Sequence, residues 1–227
     1  MNARVRHEPT IDAPIFRRSV IVAGAFNAAY LTAAVIGAIA SGNQEFIFYI
    51  VVMLALLALG TYVHMRVNFR DGVIWGLSAW GALHMAGGLL PVPASWPVNG
   101  DIRVLYSWWL IPGWLKYDQV IHAFGFGVTA IACWQALRAG IASLTGKPRK
   151  QIHSTFGLLI LCWAASLGFG ALNEVVEFAA TLLVPSTNVG GYINTGWDLV
   201  SNAIGATLAI LAIAIRHSKF GDVSRTR

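Results

Sequence analysis

The chain is dominated by long apolar runs that short polar stretches separate. Each run has about the 20 residues that a helix needs to cross the hydrocarbon core of a bilayer. We place the predicted spans at 19–41, 46–66, 72–90, 118–139, 156–184 and 196–216. A basic segment precedes the first run, but this run exceeds the roughly 7–15 apolar residues of a signal peptide, so we expect a retained anchor. The pattern predicts an all-α polytopic membrane protein, a single bundle of about six transmembrane helices.

Composition agrees with this fold class. Of the 227 residues, 56% are hydrophobic and 11% are charged, and the mean hydropathy is +0.62. Soluble domains carry about 25% charged residues, so this chain has too few to cover a soluble surface. Cys133 and Cys162 each lie inside an apolar run without CxxC spacing, as small buried hydrophobic residues do. We therefore expect a lipid bilayer around the protein.

The basic residues predict an orientation. The net charge is +6, yet Lys and Arg lie between apolar runs, so we expect no nucleic-acid partner. Fourteen of the sixteen fall in the two terminal segments and the second and fourth loops, and only Arg103 and Lys116 fall on the other side. Cytoplasmic loops carry this excess of positive charge. We predict a multi-pass protein of the bacterial inner membrane, with segments 1–18 and 217–227 cytoplasmic and 19–216 forming the membrane domain.

The third loop, residues 91–117, is long and rich in aromatic residues. Its Trp and Tyr side chains favour the interface between membrane and water. We expect residues 102–111 to form a short interfacial helix on the periplasmic side, between prolines. A lid over a site is the alternative interpretation of this loop.

Several ionisable residues lie inside the predicted spans, where a charge at the bilayer centre costs several kcal/mol. They are His84, Asp118, His122, Glu174, Glu177 and Asp198, and the supporting polar residues are Ser201 and Asn202. A rise of about 1.5 Å per residue puts these groups at overlapping depths in the outer half of four helices. Spacings of three or four residues also place each pair on one helical face.

This donor set suits a divalent cation. Imidazole nitrogens and carboxylate oxygens together favour a metal of borderline hardness, such as Zn, Mn or Fe. We therefore predict that the six ionisable residues form a metal site. Structural alternatives remain open: Asp118 and Asp198 each lie near a predicted helix start and would suit helix caps there. His84 and His122 would also suit interior histidines that are satisfied by hydrogen bonds.

Four strings in order resemble the YjdF-like family of bacterial inner-membrane proteins. They are LHMAGG at 83–88, KYDQVIHAFGFG at 116–127, LNEVVEF at 172–178 and GWDLVSNAIGA at 196–206. A remoter similarity is to VanZ-like proteins, which also pair a DxxxH string with later acidic helices. The resemblance implies that the six residues act as one unit, and it supplies no reaction. Two departures are Phe178, where the pattern has tryptophan, and the composition of the loop 185–195.

Three functions from different classes fit these observations. The first is a metal-dependent hydrolase that acts on a lipid or envelope precursor, with a carboxylate as general base. The second is a non-catalytic subunit or assembly factor that binds other membrane subunits. The third is a cation or proton transporter, which the lack of an inverted repeat makes less attractive.

Overall fold

The computed structural model describes residues 14–223, with side chains to residue 216. This part of the chain forms six α-helices: α1 (Arg18–Ser41), α2 (Gln44–Val67), α3 (Asp71–Leu89), α4 (Tyr117–Thr145), α5 (Phe156–Leu183) and α6 (Tyr192–Val223). The predicted all-α fold is confirmed, and each predicted span lies within or overlaps one helix. The basic residues at Arg4, Arg6, Arg225 and Arg227 lie outside the described residues.

Five of these helices, all except α3, are long and apolar enough to cross a membrane. The 19 residues of α3 include an aspartate, a serine, a histidine and two tryptophans, which lower its mean hydropathy. Large apolar side chains such as Ile39, Phe178 and Leu182 lie exposed on the outside of the helices. Such an apolar exterior suits lipid, and the chain is a multi-pass membrane protein.

Capping residues define where several of the helices begin and end. The left-handed Gly42 ends α1, and the Asn43 side chain then caps α2 by accepting from the Phe46 N–H at 3.0 Å. Thr155 caps α5 in the same way, from the Leu158 N–H at 3.3 Å. These caps satisfy backbone groups that a helix end leaves without partners.

Helix α4 lies at the centre and packs most extensively against α6. The contact relies on glycine: a Cβ at Gly127 would lie 3.1 Å from the Gly205 carbonyl oxygen, and a Cβ at Gly205 would overlap the Ala123 carbonyl. Gly125 leaves room for Trp80 of α3 in the same manner. Small residues in the 125–127 string thus let the helix backbones approach closely.

The predicted interfacial helix at 102–111 is wrong. This segment forms one 3-10 turn, Leu105–Ser107, and then a hairpin of β1 (Trp109–Ile111) and β2 (Leu115–Lys116). Its backbone groups pair with the preceding stretch, for example Leu105 N–H with the Leu90 carbonyl at 3.1 Å. Aromatic and β-branched residues favour extended structure, and Gly113 at φ 75° makes the hairpin turn.

Candidate metal site

The first turns of α4 carry Asp118 and His122 on one face. The helix begins directly after the β-hairpin, and the Lys116 N–H donates to the Gln119 side chain at 2.9 Å. Asp118 Oδ1 lies 3.5 Å from His122 Nε2, and both residues are buried. The i,i+4 spacing therefore brings the two together as predicted. The Asp118 side chain contacts Lys116, His122 and Asn194, so its role exceeds that of a helix cap.

Helix α5 brings two carboxyl groups to the same imidazole. Glu174 Oε1 lies 3.8 Å from His122 Nδ1, and Glu177 Oε1 lies 3.9 Å from His122 Nε2. Asn173 donates to Glu177 Oε1 at 3.1 Å. Both carboxyl oxygens of Glu174 are buried without a hydrogen-bond partner among the described residues. Buried polar atoms are almost always paired, so these oxygens are available to accept from a water molecule or to bind a ligand.

Helix α6 supplies Asp198 and Asn202, which are both fully buried. Asn202 Oδ1 accepts a hydrogen bond from His122 Nδ1 at 3.1 Å. This bond leaves the lone pair on Nε2, the nitrogen that faces Asp118 and Glu177. Asp198 accepts from Asn194 at 2.5 Å through one oxygen, and its other oxygen is buried without a partner.

Two expectations about α6 change. The helix begins at Tyr192 and not near residue 196, so Asp198 lies in its second turn and does not cap it. The Ser201 hydroxyl donates to the Trp197 carbonyl at 2.8 Å, within its own helix. Ser201 is buried but makes no hydrogen bond with the cluster in the described part of the chain.

The ionisable side chains form two adjoining groups that share His122. One group is Asp118, His122 and Asp198, the other is His122, Glu174 and Glu177, and in each the donor atoms lie within 4.8 Å of one another. Donor atoms around a tetrahedral zinc lie roughly 3.4 Å apart, from bond lengths of about 2.0–2.1 Å. The separations from His122 Nε2, 3.5 Å to Asp118 and 3.9 Å to Glu177, are close to this value. The geometry thus suits a divalent cation after small inward movements of the side chains.

His84 lies outside both groups. Its Nδ1 pairs with the hydroxyl of Tyr106, from the loop between α3 and α4. Its ring also packs against Tyr49 and Trp80, at centroid distances of 6.1 and 6.2 Å. The structure therefore places five of the six predicted ligands together, and His84 in an aromatic environment beside them.

Sequence analysis missed Lys116 and Asn194. Lys116 is buried, its ammonium lies 3.6 Å from Asp118 Oδ2, and it also donates to the Asn194 side chain. Asn194 in turn donates to Asp118 and Asp198. Asn194 lies four residues before Asp198, a spacing that indicates a shared helical face. Lys116 was counted only as a loop charge, although it adjoins the YDxxxH string.

A cavity of about 180 Å³ opens beside the cluster. Helices α2 to α6 and the two loops at this end of the bundle line it, and its polar wall includes Glu45, His84, Tyr106, Lys116, Asp118, Glu177, Asn188 and Asn194. The Asn188 N–H donates to Glu45 Oε2 at 2.8 Å, which ties the loop 184–191 to the first turn of α2 at the cavity wall. The cavity gives a small polar molecule access to Asp118 and Glu177.

Comparison with known protein families assigns the chain to one of them. The model of a family described as a predicted membrane protein (DUF2238) matches residues 22–219. The chain belongs to this family. The YjdF-like proteins fall within DUF2238, so that resemblance is confirmed at the level of the family. The similarity to VanZ-like proteins stays a prediction. No curated protein and no solved structure shows a significant match.

The four strings of the YjdF-like resemblance surround the site in this DUF2238 protein. In the LHMAGG string, the missing side chains of Gly87 and Gly88 leave room for the rings of Tyr106 and Phe46. Phe178, a departure from the pattern, is exposed. The other departure, the loop 185–195, lines the cavity, so it contributes directly to what the cavity accepts.

The loop residue Tyr106 gives a pH prediction. Burial, and then the negative charges of Asp118 and Glu177, raise the pKa of this phenol well above its usual range. In the unfolded chain the phenol loses its proton near pH 10. Above that pH the folded state holds more protons than the unfolded state, so stability falls as pH rises.

We expect the melting temperature of the wild type to fall between pH 9 and 11 more steeply than that of Tyr106→Phe. Tryptophan fluorescence during heating in detergent measures this, with the exposed Tyr62→Phe as a control. Parallel curves for wild type and Tyr106→Phe would contradict the prediction.

Proposed function

We propose that the protein is a metal-dependent hydrolase of the bacterial inner membrane, with its divalent cation held by the buried cluster. One observation carries the proposal: buried oxygens of Glu174 and Asp198 lack hydrogen-bond partners among the described residues, although they adjoin His122. Four carboxylates close together repel one another, and among the described side chains Lys116 is the one lysine that pairs with them. A divalent cation offsets this repulsion and satisfies the free oxygens.

The donor set favours Zn, Mn or Fe. His122 Nε2 is the nitrogen ligand, because Nδ1 carries the ring proton and donates it to Asn202 Oδ1 in a hydrogen bond. Asp118, Glu174, Glu177 and Asp198 are the carboxylate ligands in this proposal. His84 was predicted as a sixth ligand, and we now assign it to the cavity wall, where Tyr106 holds it.

A divalent cation supplies the Lewis acidity that hydrolysis of an ester or phosphate ester needs. Asp118 and Glu177 line the cavity as well as the cluster. A carboxylate oxygen of either residue that does not bind the cation would accept a proton from a water molecule that attacks a substrate in the cavity. The buried Lys116 lies on the same wall and is placed to pair with an anionic group of that substrate.

The surroundings of the cavity support a lipid or envelope precursor as substrate. A second pocket, of about 20 Å³, lies between α2, α3 and α5 and shares His84 and Glu177 with the cavity. Its other walls are largely apolar, with Val52, Leu56 and Val176 among them, and Leu56 is exposed on the lipid-facing surface. A pocket of this size has room for about one water-sized group, so the hydrocarbon chain of such a substrate would lie on the apolar exterior beside the cavity.

The test is hydrolysis of extracted envelope lipids by purified protein, followed by mass spectrometry of the products. We expect activity that a chelator abolishes and zinc or manganese restores. Glu177→Gln should lower the rate by about 100-fold or more, since general-base catalysis is worth this much. The exposed Asp101→Asn is the matched control and should retain the rate. Activity that survives both chelator and Glu177→Gln would sink the proposal.

The distribution of Lys and Arg along the chain supports an orientation of the protein in the membrane. We propose six spans with segments 1–18 and 217–227 in the cytoplasm and the cavity on the periplasmic side. Helix α3 would span about 28 Å at 1.5 Å per residue, and it packs against both α1 and α4.

Cysteine labelling tests this orientation in intact cells. With Cys133 and Cys162 replaced by alanine, we expect a membrane-impermeant maleimide to label Asp101→Cys but not Lys150→Cys until the cells are opened. Both positions are exposed, so accessibility of the side chain itself is matched. Labelling of Lys150→Cys alone would invert the proposed orientation.

A non-catalytic subunit is a second candidate, and one observation favours it. Polar contacts of His122 join α4 to both α5 and α6, so the cluster also holds helices together. The hydrolysis test distinguishes the two candidates. A metal-loaded protein that shows no hydrolase activity and co-purifies with another membrane protein would favour the subunit.

A further inference from the structure

Three arginines from three segments meet at the end of the bundle opposite the metal site. Arg70 follows α2, Arg138 lies late in α4, and Arg149 lies in the connection to α5. Arg138 is sixteen residues beyond His122, or about 24 Å along the helix. These arginines are therefore independent of the cation proposal.

Hydrogen bonds tie these segments together. The Arg149 guanidinium donates to the Val67 carbonyl at 2.6 Å, and Arg138 donates to the Arg149 carbonyl. The Arg70 N–H donates to the Gln135 side chain at 2.9 Å, one turn before Arg138 on α4. The Arg138 guanidinium also lies over the Trp134 ring, 5.5 Å from its centroid. These contacts fix the positions of the three segments, so the arginines are not independent, freely moving surface side chains.

These charges have no acidic partner in the described part of the chain. The nearest acid in sequence, Asp71, pairs instead with Arg17 at 2.5 Å. The charges of Arg70 and Arg149 both repel that of Arg138. Arg138 Nε is also buried without a hydrogen-bond partner among the described residues. Three like charges held together at this cost indicate that an anion completes the site.

We infer that Arg70, Arg138 and Arg149 bind the phosphate group of an anionic phospholipid. Guanidinium groups match the oxygens of a phosphate, often through paired hydrogen bonds. Basic pockets between transmembrane helices bind lipid headgroups in this way. Large apolar residues lie exposed at the same end, with Leu144 at 88% and Phe156 at 84%, and these surfaces suit acyl chains. A lipid therefore fits the site better than free phosphate does.

Native mass spectrometry of the full chain, released from nanodiscs of phosphatidylglycerol and phosphatidylcholine, tests the inference. We expect wild type to retain phosphatidylglycerol and Arg138→Gln with Arg149→Gln to lose it about ten-fold or more. Arg18→Gln with Arg216→Gln removes two exposed charges from α1 and α6 and should retain the lipid. Equal loss in this control would show general charge attraction and overturn the inference, as would unchanged retention in the double variant.

Arg70→Gln guards against a folding defect. Arg70 donates to the Gln135 side chain through its backbone N–H, so its exposed side chain is replaceable without loss of that contact. We expect Arg70→Gln to keep the wild-type melting temperature in detergent and still to retain less phosphatidylglycerol. Inorganic phosphate is the second probe: if millimolar phosphate displaces the lipid and stabilises the protein as well as the lipid does, the ligand is free phosphate and the lipid assignment is overturned.

Discussion

Replacement of His122 by alanine is expected to abolish tight binding of a divalent cation. His122 belongs to both donor groups and supplies their one nitrogen. Its Nδ1 is held by Asn202, and its Nε2 faces Asp118 and Glu177. Loss of a single second-shell partner commonly weakens a metal site by 10–100-fold, so loss of the shared ligand should cost about 100-fold or more.

Calorimetric titration of zinc into protein stripped with a chelator measures this effect. The exposed His153→Ala is the matched control and should bind zinc as the wild type does. Asn202→Ala should fall between the two, at about 10–100-fold weaker binding, because it removes only the partner that orients the ring. Wild-type affinity in the His122 variant would show that the cation binds elsewhere.

The second large effect is expected from Gly205→Val. A Cβ at Gly205 would overlap the backbone carbonyl of Ala123, and backbone cannot move aside as a flexible side chain does. Helices α4 and α6 would have to separate, with the contact between Ala130 and Ala206 lost nearby. Overpacking of this kind should lower the free energy of unfolding by about 3 kcal/mol.

The melting temperature in detergent measures that loss. Gly168→Ala is the matched control, since no atom lies within 4 Å of a Cβ at this position. It should be neutral or stabilising by up to about 1 kcal/mol, from helix propensity alone. Gly205→Val should also weaken zinc binding, because Asn202 on α6 and His122 on α4 would move apart. A Gly205 variant as stable as Gly168→Ala would contradict the close packing of α4 and α6.

The helical part of the site was predictable from sequence for a physical reason. Inside apolar spans few residues are ionisable, so each one is informative, and the helix period fixes which of them share a face. The pairs Asp118–His122 and Glu174–Glu177 therefore lie where their spacing predicts. The depth of each ionisable residue along its span likewise predicted that α4, α5 and α6 place these side chains at the same depth in the membrane.

The remaining parts depended on the loops, which follow no period. The hairpin before α4 places Lys116 beside Asp118, and the 3-10 turn places Tyr106 on His84. Both contacts join residues whose relation depends on the path of an irregular segment. The contact of Asn194 with Asp198 also depended on tertiary structure, because α6 begins at Tyr192 and so places both residues on one helical face. Helix spacing predicted the shared face of the ligands, and tertiary structure decided which of their neighbours complete the site.

The most direct test of the cation site is an anomalous difference map from crystals of the full chain grown with zinc or manganese. Our account predicts a peak at about 2.0–2.2 Å from His122 Nε2 and from carboxylate oxygens of α4, α5 or α6. The same crystals of Glu174→Gln with Glu177→Gln should lack this peak or show it weakened. A folded wild-type protein without a peak in the cluster, or with peaks only on its surface, would contradict the central claim.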